Sequence, residues 1–479
     1  MMKKKLLYLL SVLVTLACAL GIWFVADKVL IVKRTDGVLP MQDFYAQESG
    51  TVDVLIMGSS HAGMNLDVSE FWRRQGQSAY ALWGSNQPFW NTYHFLVEAL
   101  KTQRPKVLVL EVYAAVFDFE YSDAARQVTN ICGMNLSLNK WEAIKVSAPK
   151  NRWLNLLTGL PVYHNRYSEV NADDFQHFPW SGGLENDKGT YYRYGFGPSP
   201  LTDVSDVTER TPLMEKEELY LRKILTLCRD ENLPVVLTLT PTASFRADQP
   251  FMNTIADIAA EYQVPFYNFN LLWEDAGIME WDFGTDVHLN TRGARKVSAW
   301  LADRLHEDFN LSDHRGDPAY QSWDTHARDV ENEYMKLITW DEDYFDEVLR
   351  DGYDLIVIRT DTFKLTENGR SLMACLEKIG GDADAVSSAR VGCWTYSRNE
   401  NTPAFREQAS EDDVAHFDFD GFHWTVDMNQ WEVRCDGESV CALSESGIYT
   451  IVIDPQRSRW IDAAAFAAGE DFRVVRSAP

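Results

Sequence analysis

The chain has 479 residues, 46% hydrophobic and 24% charged, which suits two or three globular domains and excludes disordered and fibrous classes. Forty-five Lys and Arg against 71 Asp and Glu leave a net charge of −26, a balance that repels phosphate backbones and excludes nucleic acid as a partner. A single charge-free apolar run of bilayer length excludes a multi-pass membrane protein.

That run, Leu6 to Ala26, follows Lys3, Lys4 and Lys5. At 1.5 Å per residue it reaches about 31 Å, against a hydrocarbon core of about 30 Å. The small residues Ala17, Cys18 and Ala19 suit a cleaved signal peptide, the competing reading. Leu20 to Val25 continue the apolar run past that point, which favours an uncleaved anchor over residues 1–34. Lys28, Lys33 and Arg34 match the three lysines on the near side, so charge barely sets the orientation. A short basic terminus kept inside is the default, leaving a single-pass cell-membrane protein with its bulk extracytoplasmic. Beyond residue 34 the chain carries 39 basic and 70 acidic side chains.

A connector (35–50) precedes Val52-Asp53-Val54-Leu55-Ile56-Met57, a continuous apolar run of buried-strand type stopped by Gly58. Pro105 to Val112 and Pro234 to Pro241 repeat the design, and Val264 to Tyr267 is a shorter version. Helical patterns lie between them at Trp90–Lys101, Met214–Glu231 and Asn253–Tyr262, and an amphipathic segment at Ala294–Leu305 closes the unit. Continuous apolar strands alternating with helices imply an α/β domain, 35–310, with a parallel sheet covered on both faces. Residues 311–345 read as a polar linker with a helical stretch near Val330–Ile338. The remainder, 346–479, reads as a small β-rich α+β domain. Its strands include Tyr353–Ile358 and Gly447–Ile453, and its helix is Ser371–Ile379. Its cysteines Cys375, Cys393, Cys435 and Cys441 suit two disulfides in an oxidising compartment, with three connectivities open.

Chemistry concentrates in two places. Gly58-Ser59-Ser60-His61 follows the first strand, where open α/β sheets bind ligands. A serine there is equally an ordinary helix N-cap. Asp282-Phe283-Gly284-Thr285-Asp286-Val287-His288-Leu289-Asn290 precedes the closing helix. A serine hydroxyl needs a base to become nucleophilic, and a histidine oriented by a nearby carboxylate suits that task. His61 is a pocket-wall or capping residue in this reading, and Glu111 a strand-end carboxylate bound to backbone. Tyr191 to Gly197, aromatic and glycine-rich, either lines a sugar groove or packs as a loop. No cluster of His and carboxylates has metal-ligand spacing, so neither a metal nor another cofactor is expected.

These motifs resemble the SGNH/GDSL hydrolase superfamily over roughly residues 50–310. Gly58-Ser59-Ser60 is similar to the Gly-Ser-Ser of its surface-polysaccharide acyl-transfer members, and Asp286-Val287-His288-Leu289-Asn290 to its last block. The resemblance implies a three-layer, flavodoxin-like parallel sheet with Ser60 as nucleophile, His288 as base and Asp286 as its orienting acid. It implies an oxyanion hole from the N–H groups of Ser60 and Gly84, with Asn86 as a side-chain donor. The usual Asp-x-x-His spacing is departed from, since Thr285 stands where that Asp would be; Asp282 is the fallback. The Gly-x-Asn-Asp block is absent.

Asp436-Gly437-Glu438, Ser446 to Asp454, Trp460-Ile461-Asp462 and Phe466 resemble an interleukin-like domain whose group includes a stem lectin, with Asp354 to Lys364 as its opening strand and loop. The resemblance implies a compact β-sandwich-like module, sometimes glycan-binding; a purely structural appendage is the alternative. The expectation is therefore a membrane-anchored serine esterase or O-acyltransferase acting on acyl, first of all acetyl, groups of a surface polysaccharide or other glycan. A membrane-bound acyltransferase is a candidate partner. The alternative is a catalytically vestigial, membrane-tethered glycan-binding or scaffold protein.

Overall fold

The computed structural model describes residues 2–31, 36–176, 188–195, 197–242, 246–285, 287–339, 341–360, 367–389, 391–398, 404–409, 414–443, 447–466 and 474–476. The chain divides into two compact units, Met1–Ala327 and Arg328–Pro479. Asp286 and Phe196 lie outside the described residues, as do Ser446 and residues 361–364 of the tail motif.

In the first unit, β1 (Val54–Gly58), β2 (Ala79–Trp83), β3 (Val107–Glu111), β4 (Val235–Leu239) and β5 (Phe266–Asn268) form a parallel sheet. Their order is β2-β1-β3-β4-β5. Alternate side chains of one strand enter different cores, as the two-residue strand period requires. Leu55 and Met57 pack with Phe95, Leu96, Leu221, Ile224 and Ile255 on one face. Val54 and Ile56 pack with Phe71, Val297, Leu301 and Leu305 on the other. Helices therefore cover both faces, and that is why the strands read as unbroken apolar runs.

The helix Met2–Leu30 includes a 27-residue segment, Lys4–Leu30, long and apolar enough to cross a membrane. Its far end is gripped by the protein. Val29 and Ile31 are buried, and the Leu160 N–H donates to Asp27 Oδ1 at 2.7 Å. The expected connector instead holds the helix Val38–Ala46, whose Val38, Met41 and Phe44 are fully buried.

The expected linker at 311–345 is also packed. Trp323 is buried in the first unit and donates its Nε1–H to Ala79 O at 3.0 Å; Met335, Ile338, Tyr344 and Phe345 belong to the core of the second. The helical stretch expected near Val330–Ile338 overlaps the end of the helix Gln321–Met335; acidic surface positions between widely spaced apolar residues hid the first part of that helix and the whole of Asp341–Asp351.

The second unit is β-rich. A six-stranded sheet has the strands Asp354–Thr360 and Gly447–Asp454 at its centre, fully buried and paired antiparallel. One face carries Leu355, Val357, Ile448 and Val452 against helical residues such as Val348 and Leu376. The other carries Ile356, Ile358, Ile451 and Ile453 against Trp424, Val426 and Val433 of a four-stranded meander spanning Val414–Ala442. The disulfide expectation is corrected: Cys375, Cys393, Cys435 and Cys441 are buried and form no disulfide among the described residues. Cys375 sits in a different core layer from the other three, which pack as small apolar groups.

Candidate active site

Gly58 ends β1 at φ +156°, and a Cβ placed there would lie 2.8 Å from Glu111 Cβ and 2.9 Å from Glu111 O. Glycine alone allows the chain to turn this close to β3. Ser59 then caps the short helix Ser60–Met64, its Oγ accepting from the His61 N–H at 3.5 Å. The capping role thus falls to Ser59, which leaves the Ser60 hydroxyl for another partner.

That partner is His288, whose Nε2 lies 2.9 Å from Ser60 Oγ. His288 begins β7 (His288–Leu289), which pairs antiparallel with β6 (Phe283–Thr285). Asn65, fully buried at the end of the serine helix, accepts from the Leu289 N–H at 3.0 Å and donates to Thr240 Oγ1 at 2.8 Å. One side chain thereby ties the histidine ribbon, the serine helix and the end of β4 together.

The other imidazole nitrogen, Nδ1, lies 3.4 Å from Thr285 Oγ1. For Nε2 to accept the serine proton, Nδ1 must carry the hydrogen, and Thr285 is then its acceptor, over a long bond. Burial, and then the neighbouring Arg193 guanidinium, hold the His288 pKa down to about 4. The imidazole is neutral at ordinary pH, the state that accepts a proton.

Asp282 does not take the orienting role considered for it. Its fully buried carboxylate accepts from the Met279 N–H at 2.8 Å and pairs with Arg292 Nη1 and Lys296 Nζ, each at 2.7 Å. These partners pin the loop onto the closing helix, Thr291–Phe309, and leave the imidazole to others.

Gly84 follows Trp83, the register partner of Gly58, so Gly84 sits beside the serine turn at the same end of the sheet. Asn86 is exposed, in a left-handed conformation at φ +45°, with no hydrogen bond among the described residues. The amide packed on Gly84 belongs to Asn130. A Cβ on Gly84 would lie 1.9 Å from Asn130 Oδ1, while Asn130 Nδ2 donates to Ser85 O at 3.1 Å.

His61 forms a wall. It is buried, its ring stacks on Tyr113 at 4.0 Å and stands 5.0 Å from the ring of His288. Burial, with His288 beside it, drives its pKa well below the usual value, so it stays neutral. Glu111 closes the floor. Its Oε1 accepts from the Tyr113 N–H at 3.1 Å, and its Oε2 accepts from Ser59 Oγ at 3.4 Å. Complete burial pushes its pKa up to about 8, so it is mostly protonated at neutral pH.

Segment 191–195 lies over both halves of the site. The Tyr191 N–H donates to Gly63 O at 2.7 Å, and Arg193 is bonded through its backbone to Thr291. Tyr192 turns inward, its hydroxyl 3.1 Å from Asp67 Oδ1 and 3.2 Å from His326 Nε2. Asn65 and Asn130 escaped the sequence reading as site residues, because single polar residues on helices carry no spacing signal; spacing marks Thr285 only as the occupant of the usual Asp position, and Arg193 enters only within the Tyr191–Gly197 segment. No family model matches the chain, and no curated protein matches it.

Proposed function

We propose that the protein is a serine esterase or O-acyltransferase of the SGNH type, anchored by its N-terminal helix and acting on acyl groups of a surface glycan. The observation that carries this reading is the 2.9 Å approach of His288 Nε2 to Ser60 Oγ, between residues 228 apart in sequence. The strand order 2-1-3-4-5 supports it, being that of flavodoxin-like sheets, whose ligands bind where β1 and β3 diverge. Ser60 follows β1, and Glu111 ends β3.

In this mechanism the Ser60 hydroxyl attacks the acyl carbonyl as His288 Nε2 takes its proton. The Ser60 and Gly84 N–H groups face the developing oxyanion, with Asn130 holding the Gly84 turn. His288 then returns the proton to the departing sugar oxygen. Water, or an acceptor hydroxyl deprotonated by His288, cleaves the acyl-enzyme and restores Ser60. The acceptor sets the choice between hydrolysis and transfer. The second unit is proposed as a glycan-holding module, which printed glycan arrays probed with the full chain test; uniformly blank arrays remove that role.

A second reading has its own support: the pKa near 4 and the threonine on Nδ1 weaken the base, as in a vestigial site kept for binding. A fluorophosphonate probe decides. Labelling of the full chain that disappears in Ser60→Ala supports the enzyme, and folded protein that takes no label supports the binder.

A further inference from the structure

Arg193 has no part in the mechanism above, yet it stands beside its base. Its Nη2 lies 3.6 Å from Met64 Sδ, and Met64 is one helical turn from Ser60. Its Cδ would lie 2.5 Å from a Cβ on Gly284, in the strand paired to that of His288, so a glycine there makes room for the arginine stem. The backbone is fixed from both directions. The Arg193 N–H donates to Thr291 Oγ1 at 3.0 Å, and the Thr291 N–H donates to Arg193 O at 2.7 Å.

The guanidinium is therefore held in place, half-buried, with the Met64 thioether as its side-chain contact among the described residues. A cation here opposes the reaction. His288 must become an imidazolium as Ser60 attacks, and a fixed positive neighbour resists that change. An anion seated on the guanidinium cancels the opposition at the moment substrate is present. The chain's charge of −26 repels anions at long range, so such recognition has to be short-ranged and bidentate, as arginine provides.

We infer that Arg193 is the anion-recognition residue of this site, and that the acylated glycan bears a negative group, a carboxylate or a phosphodiester, next to the ester that Ser60 attacks. This rests on the hydrolase reading for its ester, though not for its charge. The test uses the full chain and four substrates: acetylated oligogalacturonate, an acetylated phosphodiester-linked oligosaccharide, acetylated xylo-oligosaccharide and 4-nitrophenyl acetate. Wild type should favour one of the two charged glycans over the neutral one, and the favoured member identifies the anion. Arg193→Gln should lower kcat/KM on that glycan about 10- to 100-fold, the worth of a charge-assisted pair. It should also quicken 4-nitrophenyl acetate hydrolysis at pH 8 and move the acid limb of that profile to higher pH, which a merely structural role would not do. Calorimetric binding of the unacetylated oligomers to Ser60→Ala, with and without Arg193→Gln, needs no turnover. Charge-selective binding lost with Arg193 supports the inference even if no ester is cleaved. Equal binding of charged and neutral oligomers, or equal losses on all four substrates, overturns it.

Discussion

The two halves of the site are built differently. The serine half, Gly58 to Gly63, is buried throughout and rests on three strands of a sheet packed on both faces. The histidine half is a short ribbon in which Thr285 is exposed and His288 half-buried, held by the Asn65 side chain and by the ion pairs of Asp282. A serine turn on a packed sheet needs only the fold. An imidazole carried on a ribbon needs brackets, and each bracket is a point at which the pair can be lost while the fold survives.

The most severe way to break that comparison is to remove one member of the pair. Ser60→Ala and His288→Ala should each lower kcat/KM by roughly 10³- to 10⁶-fold while leaving thermal stability nearly unchanged, and the double variant should be no worse than either. Additive losses would show that the two residues do not act as a unit. On the serine side, Gly58→Ala should act through the fold. Its Cβ meets Glu111 at 2.8 Å, so a stability loss of about 1–3 kcal/mol is expected from overpacking. Urea midpoints measure it, and an unshifted midpoint means that β1 and β3 can separate.

Asn65→Ala tests the bracket. The buried amide loses bonds to Leu289 and Thr240, at about 1–3 kcal/mol for each buried group left unsatisfied. The larger consequence is kinetic. A base displaced by about 1 Å costs on the order of 10²-fold, seen in kcat, with fluorophosphonate labelling slowed in proportion. If labelling keeps its rate, the ribbon holds His288 without Asn65.

The same contrast explains what was legible in the sequence. Continuous apolar runs bounded by Gly and Pro mark β1, β3 and β4, because strands buried on both faces leave no room for polar residues. The Gly58-Ser59-Ser60 turn and His288 stand out because strand ends and sharp turns leave residue-type traces. Asn65 left none, since it acts through tertiary contacts that local sequence does not encode, and Arg193 was marked only by its aromatic, glycine-rich surroundings. Asn86 sits exposed in the Gly84–Gln87 turn, whereas the amide packed on Gly84 is that of Asn130, which arrives from the helix Ala124–Cys132 and left no mark in the local sequence. Asp282 misled through chemistry, since a carboxylate near a histidine suits an orienting role until Arg292 and Lys296 claim it. The tail cysteines misled because their number suggested bridges, whereas Cys393, Cys435 and Cys441 fill a core.

Thr285→Asp sharpens the comparison by strengthening the ribbon. A carboxylate placed where Thr285 Oγ1 lies 3.4 Å from Nδ1 should favour the imidazolium and raise the His288 pKa by roughly 1–3 units. The acid limb of kcat/KM should move up from near pH 4 by that amount, with a gain of about tenfold near neutrality if the stronger base is used. Asp286→Asn is the companion variant. A fall in activity there, with no response to Thr285→Asp, assigns the orienting role to residue 286.

The smallest effect concerns the floor beneath the serine. Glu111 has a pKa of about 8 in the fold against 4.5 for an ordinary glutamate, so the folded chain holds a proton that the unfolded chain releases. Stability from this group is greatest below pH 4.5 and declines as pH rises from about 4.5 to about 8, because over that window the unfolded state gains by ionising. Glu111→Gln keeps an acceptor for the Tyr113 N–H, and its amide N–H reverses the bond to Ser59, whose rotatable hydroxyl can accept instead of donate, so it should cost less than about 1 kcal/mol at pH 5. It should also remove this part of the pH slope. Amide exchange in β1 and β3, compared at pH 5 and pH 8 after correction for intrinsic rates, reports the first unit by itself. Glu217, also buried and raised to about 8, contributes equally to both proteins, so the difference between wild type and Glu111→Gln isolates the site. Parallel slopes in the two proteins would mean that Glu111 is ionised in the fold and that the serine turn rests on a charge.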